Sequence, residues 1–585
     1  MQFNLSKLTK NLILLNLIIL LVAPQLNNVH YDPLPQFWAE MTFAWATISL
    51  FLIICFAFKS LSIPRIIIPL ILLVSYLCLQ QFFTAIAFSG LSYVAALEFF
   101  ITILLAISVS TIVSHYGIKT FVTYISIALV IGATLQSIIG LIQYNGWFKY
   151  FGGWIFYDSN HPTSNIFGHF GQRNHYCHYL SWASFGLIYL FHTKRIPKVI
   201  FFPGLAWFMF SMTIAGSRSV FIYFGLASLI AIGYLLQQQN STAKKLAALI
   251  LGATITLILF EYLYPLLQTL IHHNEVSSGL QRLISTGGNG GEAGRRLVEW
   301  QKAWLVFKAH PLIGQGFNQF AQQSVYLQPL FPHAPMNDGL FTNCHNLLLQ
   351  LLAETGLIGT VIVAAGISYA IAAMLKTTTI ETIIILCLFA TTLAHSMLEY
   401  PLWYIYFLGP FIMFLAIDKP LTKLNSNTLA GIATLPMAGL VYLMLSSSFV
   451  FNTLVNYIDT PINLSAFQTQ AKYLEDLTQR NSLWAYPALY TLDNYIIIDS
   501  SNTNKTFSLN DQLDYENKFT NFHPYPDNLI KQALLKWKLG QHAQAKELVE
   551  LALVAFPAYQ SSYLSQLKSK QYKPLYELTK RYHYN

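Results

Sequence analysis

Charge is what this chain has least of. Only 10% of its 585 residues are Asp, Glu, Lys or Arg, while 54% are apolar and the mean hydropathy is +0.47. An ordinary soluble domain carries about 25% charged residues, so a soluble enzyme and a disordered solvating chain are both excluded. Cysteine is scarce too: Cys55, Cys78, Cys177, Cys344 and Cys387 are odd in number and mostly sit inside apolar runs. Neither a disulfide framework nor a zinc spacing can be read from them. There is no Asp-x-Asp pair, no Trp-Trp-Asp segment, and no zincin or kinase motif. Pro311-Leu312-Ile313-Gly314-Gln315-Gly316-Phe317 lacks the Lys-Ser/Thr ending of a phosphate loop. No metal and no cofactor is therefore expected.

The formal surplus is +9 and the sequence pI is near 9.0. In a soluble protein that would suggest nucleic acid, but the distribution argues otherwise. Residues 451–585 carry 13 basic and 12 acidic side chains, whereas residues 1–450 carry 21 basic and 13 acidic. The chain divides into a hydrophobic body, 1–450, and a nearly neutral polar tail, 451–585, and the surplus belongs to the body. Nucleic acid is not implied.

A bilayer core needs about 20 mostly apolar residues per helix, and the body contains about 13 such runs. They begin near Leu12, Trp38, Ile66, Leu91, Phe121, Tyr176, Val199, Val220, Leu246, Asn346, Thr382, Leu402 and Leu429. The expected fold is an all-α polytopic membrane protein with one large outer loop, 268–345, and a helical tail. Lys7 and Lys10 precede the first run, but no small-residue cleavage site follows it. With the N-terminus inside, alternate loops collect Lys59 with Arg65, Lys119, Lys194 with Arg195 and Lys198, Lys244 with Lys245, Lys376, and Lys419 with Lys423. All fall on one face, as the positive-inside rule requires. The loops around Pro33 and Ser89, on the other face, hold no Lys or Arg. An odd number of spans puts the tail outside with them. In the tail, 526–557 reads as a helix, a turn at Gly540 and a second helix, resembling one tetratricopeptide-type unit, which must bury its apolar face on neighbours.

Arginine breaks the topology rule. In the body the lysines lie mostly inside, whereas Arg173, Arg218, Arg282, Arg295 and Arg296 lie outside. A guanidinium is a rigid, permanently charged fork that fits phosphate oxygens in pairs, so an outer arginine cluster beside a bilayer suggests a phosphate or diphosphate ligand. Pairing with loop carboxylates or lipid headgroups is the plainer alternative for any one of them. Arg218 lies in Gly216-Ser217-Arg218-Ser219 between two apolar runs with almost no loop, which places its charge at the membrane edge. Gly171-Gln172-Arg173-Asn174-His175 opens the sixth span with several polar groups where phosphate or sugar could dock. His345, in Asn343-Cys344-His345-Asn346, sits at the outer mouth of the tenth span. A neutral imidazole there can take a hydroxyl proton, although a lone interfacial histidine is more often structural. Glu354, two turns deeper, is suited to pair an arginine or to cap a polar helix face. Leu297, Trp300, Trp304, Leu305 and Phe307 give the stretch after Arg296 an apolar face consistent with lying in the interface.

In this order, with Arg296-Leu297-x-x-Trp300, Pro311 to Gly316 and Glu354-Thr355-Gly356, the chain resembles the O-antigen ligase and polymerase superfamily. Within it, Ala394-His395-Ser396-Met397-Leu398-Glu399-Tyr400-Pro401-Leu402-Trp403-Tyr404 looks like the signature of bacterial O-oligosaccharyltransferases. The resemblance implies a glycosyltransferase of the bacterial inner membrane, with its N-terminus cytoplasmic and its active site and tail periplasmic. Such an enzyme moves a glycan from undecaprenyl diphosphate to a Ser or Thr hydroxyl of a periplasmic protein such as pilin. Carried over by motif, His345 takes the catalytic position, Arg218 and Arg296 face the diphosphate with Arg173 beside them, and Arg295 could replace Arg296. Gln172, Asn174, Glu399 and Tyr400 support the active region, and Glu354 stands behind it. A ligase acting on lipid A core, a polymerase, and a transporter of lipid-linked sugars are the alternatives. Transporters tend to keep ionisable groups near the midplane of repeated halves, and here they gather at the outer face.

Overall fold

Each apolar run read from the sequence lies in a helix. The computed structural model describes residues 5–160, 166–271, 278–280, 292–334, 336, 339–459, 464–480, 483–496, 498 and 507–582. The helices of the body are α1 Leu5–Val22, α2 Phe37–Ala57, α3 Ile67–Gln80, α4 Ser89–Tyr116, α5 Ile118–Tyr144, α6 Arg173–His192, α7 Lys198–Ala215, α8 Ser219–Gln238 and α9 Ser241–Ile271. They continue with α10 Glu292–Ala309, α11 Phe320–Tyr326, α12 Leu347–Lys376, α13 Ile380–Ser396, α14 Ile405–Leu415 and α15 Ser426–Asp459. The tail contributes α16 Leu464–Arg480, α17 Ala485–Leu492, α18 Leu509–Thr520, α19 Pro526–Lys538, α20 His542–Ala555, α21 Gln560–Gln566 and α22 Lys573–Arg581.

Among the described residues nine helices are long and apolar enough to cross a bilayer: α1, α2, α4, α5, α7, α8, α9, α12 and α15. The count read from the sequence is higher because three apolar helices, α3, α13 and α14, are shorter, and α6 carries polar residues in its first turns. Backbone groups in hydrocarbon must be paired within the segment, which is why such runs become helices.

α6 is the axis of the body. Its residues from His175 to Leu190 are all buried, and it packs against α5, α7, α8, α9 and α13. At the lysine-rich end, β1 Ser60–Ile63 pairs antiparallel with β2 Thr422–Asn425, and Arg65 donates to Tyr369, which donates to Asp418. The loops carrying Lys59, Arg65, Lys419 and Lys423 therefore meet at one end. At the other end the tail folds back onto the body. Phe37 stacks on Phe451 at 4.2 Å, and Phe88 packs on Tyr486 and Phe522. The two loops without Lys or Arg are thus the surface on which the tail sits. α15 runs on through the 450/451 boundary without a break. Gly540, at φ +77, turns α19 into α20, and this pair buries Ala533, Leu548 and Ala552 against Val325 and Met336 of the large loop.

The Pro311 to Gly316 segment has a structural task. α12 kinks at Gly356, whose φ is +61, and the loop fills the kink. Leu357 N–H donates to Pro311 O, Gln315 N–H to Ala353 O, and Gly316 N–H to Glu354 O, at 2.8–3.1 Å. A Cβ on Gly314 would lie 2.4 Å from the Glu354 backbone, and one on Gly356 would lie 2.4 Å from Leu312 O. Only glycine permits both the positive φ and the close approach.

Candidate active site

Where α6 begins, three arginines converge. A cleft of about 840 Å³ is lined by Gln172, Arg173, Asn174, Arg218, Ser219, Arg296 and Glu399, with Phe156, Tyr157 and Phe221 among its apolar walls. Arg173 is the first residue of α6, Arg218 directly precedes α8 and Arg296 lies in the first turns of α10. They come from elements far apart in sequence, and the packing of α8 against α6 and α13 brings the ends together.

Glu399 is the hub. One carboxylate oxygen accepts from Asn174 Nδ2 at 3.0 Å and from Arg296, and the other accepts from His345 Nδ1 at 2.8 Å. Asn174 is itself fixed, its Oδ1 accepting from Ser217 Oγ at 2.7 Å. Glu399 is 3% exposed. Burial by itself would raise its pKa, but the hydrogen bond and charge of His345, with the Arg296 guanidinium, hold it down at about 2. The carboxylate is ionised at neutral pH.

His345 adopts a left-handed backbone, φ +57, uncommon for a residue with a side chain and typical of functional positions. Its N–H donates to Asn343 Oδ1 at 2.8 Å, and the next residue, Asn346, caps α12 by accepting from Leu349 N–H at 3.1 Å. The imidazole packs edge-on against Tyr400 and Phe341. With Nδ1 on Glu399, Nε2 is the nitrogen left to meet an incoming hydroxyl. Burial and the Glu399 charge raise the Tyr400 phenol, which stays protonated.

Two residues expected at the site are elsewhere. Arg295 does not share Arg296's place: it pairs with Glu299, donates to Ala334 O and reaches Gln328 Oε1. Lys302 joins the same buried network, 3.0 Å from Glu299 and 2.7 Å from Gln328 Oε1. Burial lowers the Lys302 pKa to about 8, against the raising influence of Glu299. Among the described residues Glu354 pairs no arginine. Its Oε1 accepts from Phe320 N–H at 3.2 Å and its backbone holds Gln80 and Gly316, so it locks the α12 kink. Arg282 lies outside the described residues. The packed face of α10 is Glu299, Lys302, Ala303 and Val306, while Leu297 and Trp304 are about half exposed, at 54% and 46%.

Several further groups near the cleft were named in the sequence only within motif strings, or not at all. The His175 ring lies 5.1 Å from that of His395 and tilted to it, and His395 Nδ1 lies 2.9 Å from His178 Nδ1. Ser217 was named only as part of the Gly216 to Ser219 segment, and His178 and Tyr157 were not named. The signals available were the His395 of the signature segment and the serine preceding Arg218.

Comparison with known proteins gives the chain its relatives. Family models match in chain order: "Protein glycosylation ligase" over residues 166–191, "O-Antigen ligase" over 203–364, and "Virulence factor membrane-bound polymerase, C-terminal" over 383–569. The first covers the opening of α6, and the second covers Arg218, Arg296 and His345. A "General O-oligosaccharyltransferase" of Acinetobacter baylyi is 27% identical over 415 residues, 68% of each chain. The chain is a glycosyltransferase similar to the O-antigen ligases and, among them, to the bacterial protein O-oligosaccharyltransferases.

Proposed function

We propose that this glycosyltransferase moves a glycan from undecaprenyl diphosphate to a Ser or Thr hydroxyl of a periplasmic protein such as pilin, at the outer face of the bacterial inner membrane. The observation that carries the reading is the convergence of Arg173, Arg218 and Arg296 in one cleft beside the His345–Glu399 hydrogen bond.

In this reading the diphosphate rests against the three guanidiniums while its polyprenyl chain stays in the bilayer. The acceptor O–H gives its proton to His345 Nε2 as its oxygen attacks the anomeric carbon of the first sugar. Nδ1–H donates to Glu399, which orients the ring and stabilises the imidazolium that forms. As the bond between that carbon and the phosphate oxygen breaks, negative charge grows on the diphosphate. Fixed arginines in a partly dry cleft stabilise it more in the transition state than before.

His345→Ala is expected to lower transfer by about 10²–10⁴-fold, read by mass spectrometry of a purified acceptor. A folded His345→Ala enzyme with full transfer would defeat the assignment. The ligase reading remains the rival, because one matching family is named for that activity. Comparing a deletion strain with its parent separates them: lost glycoprotein with unchanged lipopolysaccharide supports protein as acceptor, and the reverse supports lipid A core.

A further inference from the structure

The stretch from Trp147 to Asn160 is rich in aromatic side chains of two kinds. Trp147, Tyr150 and Trp154 are 49%, 75% and 77% exposed, as rings anchored at a membrane edge are. Tyr157 differs, because it lines the arginine cleft together with Asp158 and Ser159. Its ring lies parallel to that of Phe148, 3.9 Å between centroids and 18° between planes, and the residue is 40% exposed. One face is therefore backed by a second ring.

The loop that presents it is firmly held. Buried Gln143 donates to Phe156 O at 2.5 Å and to Gly168 O at 2.7 Å, and accepts from the Phe167 and Gly168 N–H groups. Asn28 adds a bond to Trp154 O at 3.0 Å. One glutamine thus fastens Tyr157 to the segment that leads into Gln172 and Arg173.

A pyranose carries hydroxyls around its rim and C–H groups on its faces. Polarised C–H bonds are attracted to the negative face of an aromatic ring, and Asp158 and Ser159 stand in the same wall, where rim hydroxyls need partners. We propose that Tyr157, backed by Phe148, is the stacking platform for the glycan of the lipid-linked donor, next to its diphosphate. The proposal rests on the reading that the diphosphate lies against the arginines. Continuity with that cleft favours a sugar over a lipid headgroup, which would meet the exposed rings of Trp147 and Trp154 instead.

The test uses the full-length enzyme in nanodiscs and two probes: a polyprenyl-diphosphate oligosaccharide as donor, and sugar-free polyprenyl diphosphate as competitive inhibitor. Tyr157→Leu and Tyr157→Ala should raise the donor KM about tenfold and leave the Ki of the sugar-free carrier within about twofold, while Tyr157→Phe keeps both. Equal weakening of both probes, the result expected of a membrane anchor, overturns the platform, as does an unchanged KM in Tyr157→Leu. If Tyr157→Ala does not fold, the Leu and Phe variants decide. Arg218→Met separates the underlying reading: an unchanged Ki there removes the diphosphate from the arginines without touching the Tyr157 result.

Discussion

Arg295 and Arg296 are neighbours on one helix, yet they serve different regions. Arg296 turns to the cleft and meets Glu399, with its side chain 21% exposed. Arg295 turns into a closed lattice with Glu299, Gln328 and Lys302, where Glu299 and Lys302 are fully buried. Successive side chains on an α-helix point about 100° apart, and here the two adjacent arginines leave α10 toward different partners. The cleft keeps its cations near space that a substrate can fill. The lattice spends its cations on holding α10 against the turn after α11.

The largest expected effect that tests this contrast is on catalysis. Glu399→Ala should lower kcat by about 10²–10⁴-fold, since it frees the His345 ring and leaves Arg296 without its carboxylate. A double variant with His345→Ala should be no slower than His345→Ala alone, because the two act as a unit. Additive losses in that cycle would mean that Glu399 does not work through His345.

The second comparison exchanges regions. Glu299→Ala leaves fully buried Lys302, and Arg295, without their carboxylate and should destabilise the fold by about 3–5 kcal/mol, seen as a lower thermal midpoint, with kcat of the folded fraction within about twofold of the parent. Arg296→Met should do the opposite, lowering kcat and sparing the midpoint. Equal behaviour of the two variants would erase the distinction.

The smallest effect is on pH. Because Glu399 is held at about 2 in the fold against an ordinary value of 4.5, its contribution is fully present above pH 4.5 and is lost as pH falls toward 2. Between pH 4.5 and 3.5 the loss should be about 1 kcal/mol, measurable as a falling thermal midpoint. Glu399→Gln should lack that slope, whereas Glu299→Ala should keep it.

Much of this arrangement was legible in the sequence, and for identifiable reasons. The apolar runs became helices because hydrocarbon leaves the backbone no alternative. Arg173, Arg218 and Arg296 announced themselves by lying on the face where the topology rule disfavours cations. Glu399 entered only through the signature segment, as a supporting residue rather than the hub, because its partners stand 54, 103 and 225 positions away and no spacing rule links them. Glu354 looked like an arginine's partner only because its environment, the Gly314 and Gly356 kink, exists in three dimensions alone. The loops around Pro33 and Ser89 read as a topology signal, and their role as the seat of the tail needed Phe37 and Phe88 to be seen against Phe451 and Tyr486.

α15 carries a mechanical consequence. At 1.5 Å per residue its 34 residues span about 50 Å, against about 30 Å of hydrocarbon, and Phe451 is pinned to Phe37 near its upper end. The helix therefore acts as a gauge rod: its number of turns, rather than its composition, fixes the distance between β2, at the lysine-rich end, and the seat of the tail. Since Met336 donates its N–H to Ala555 O in the tail, the same rod sets the height of the roof over the loop that supplies Arg296 and His345.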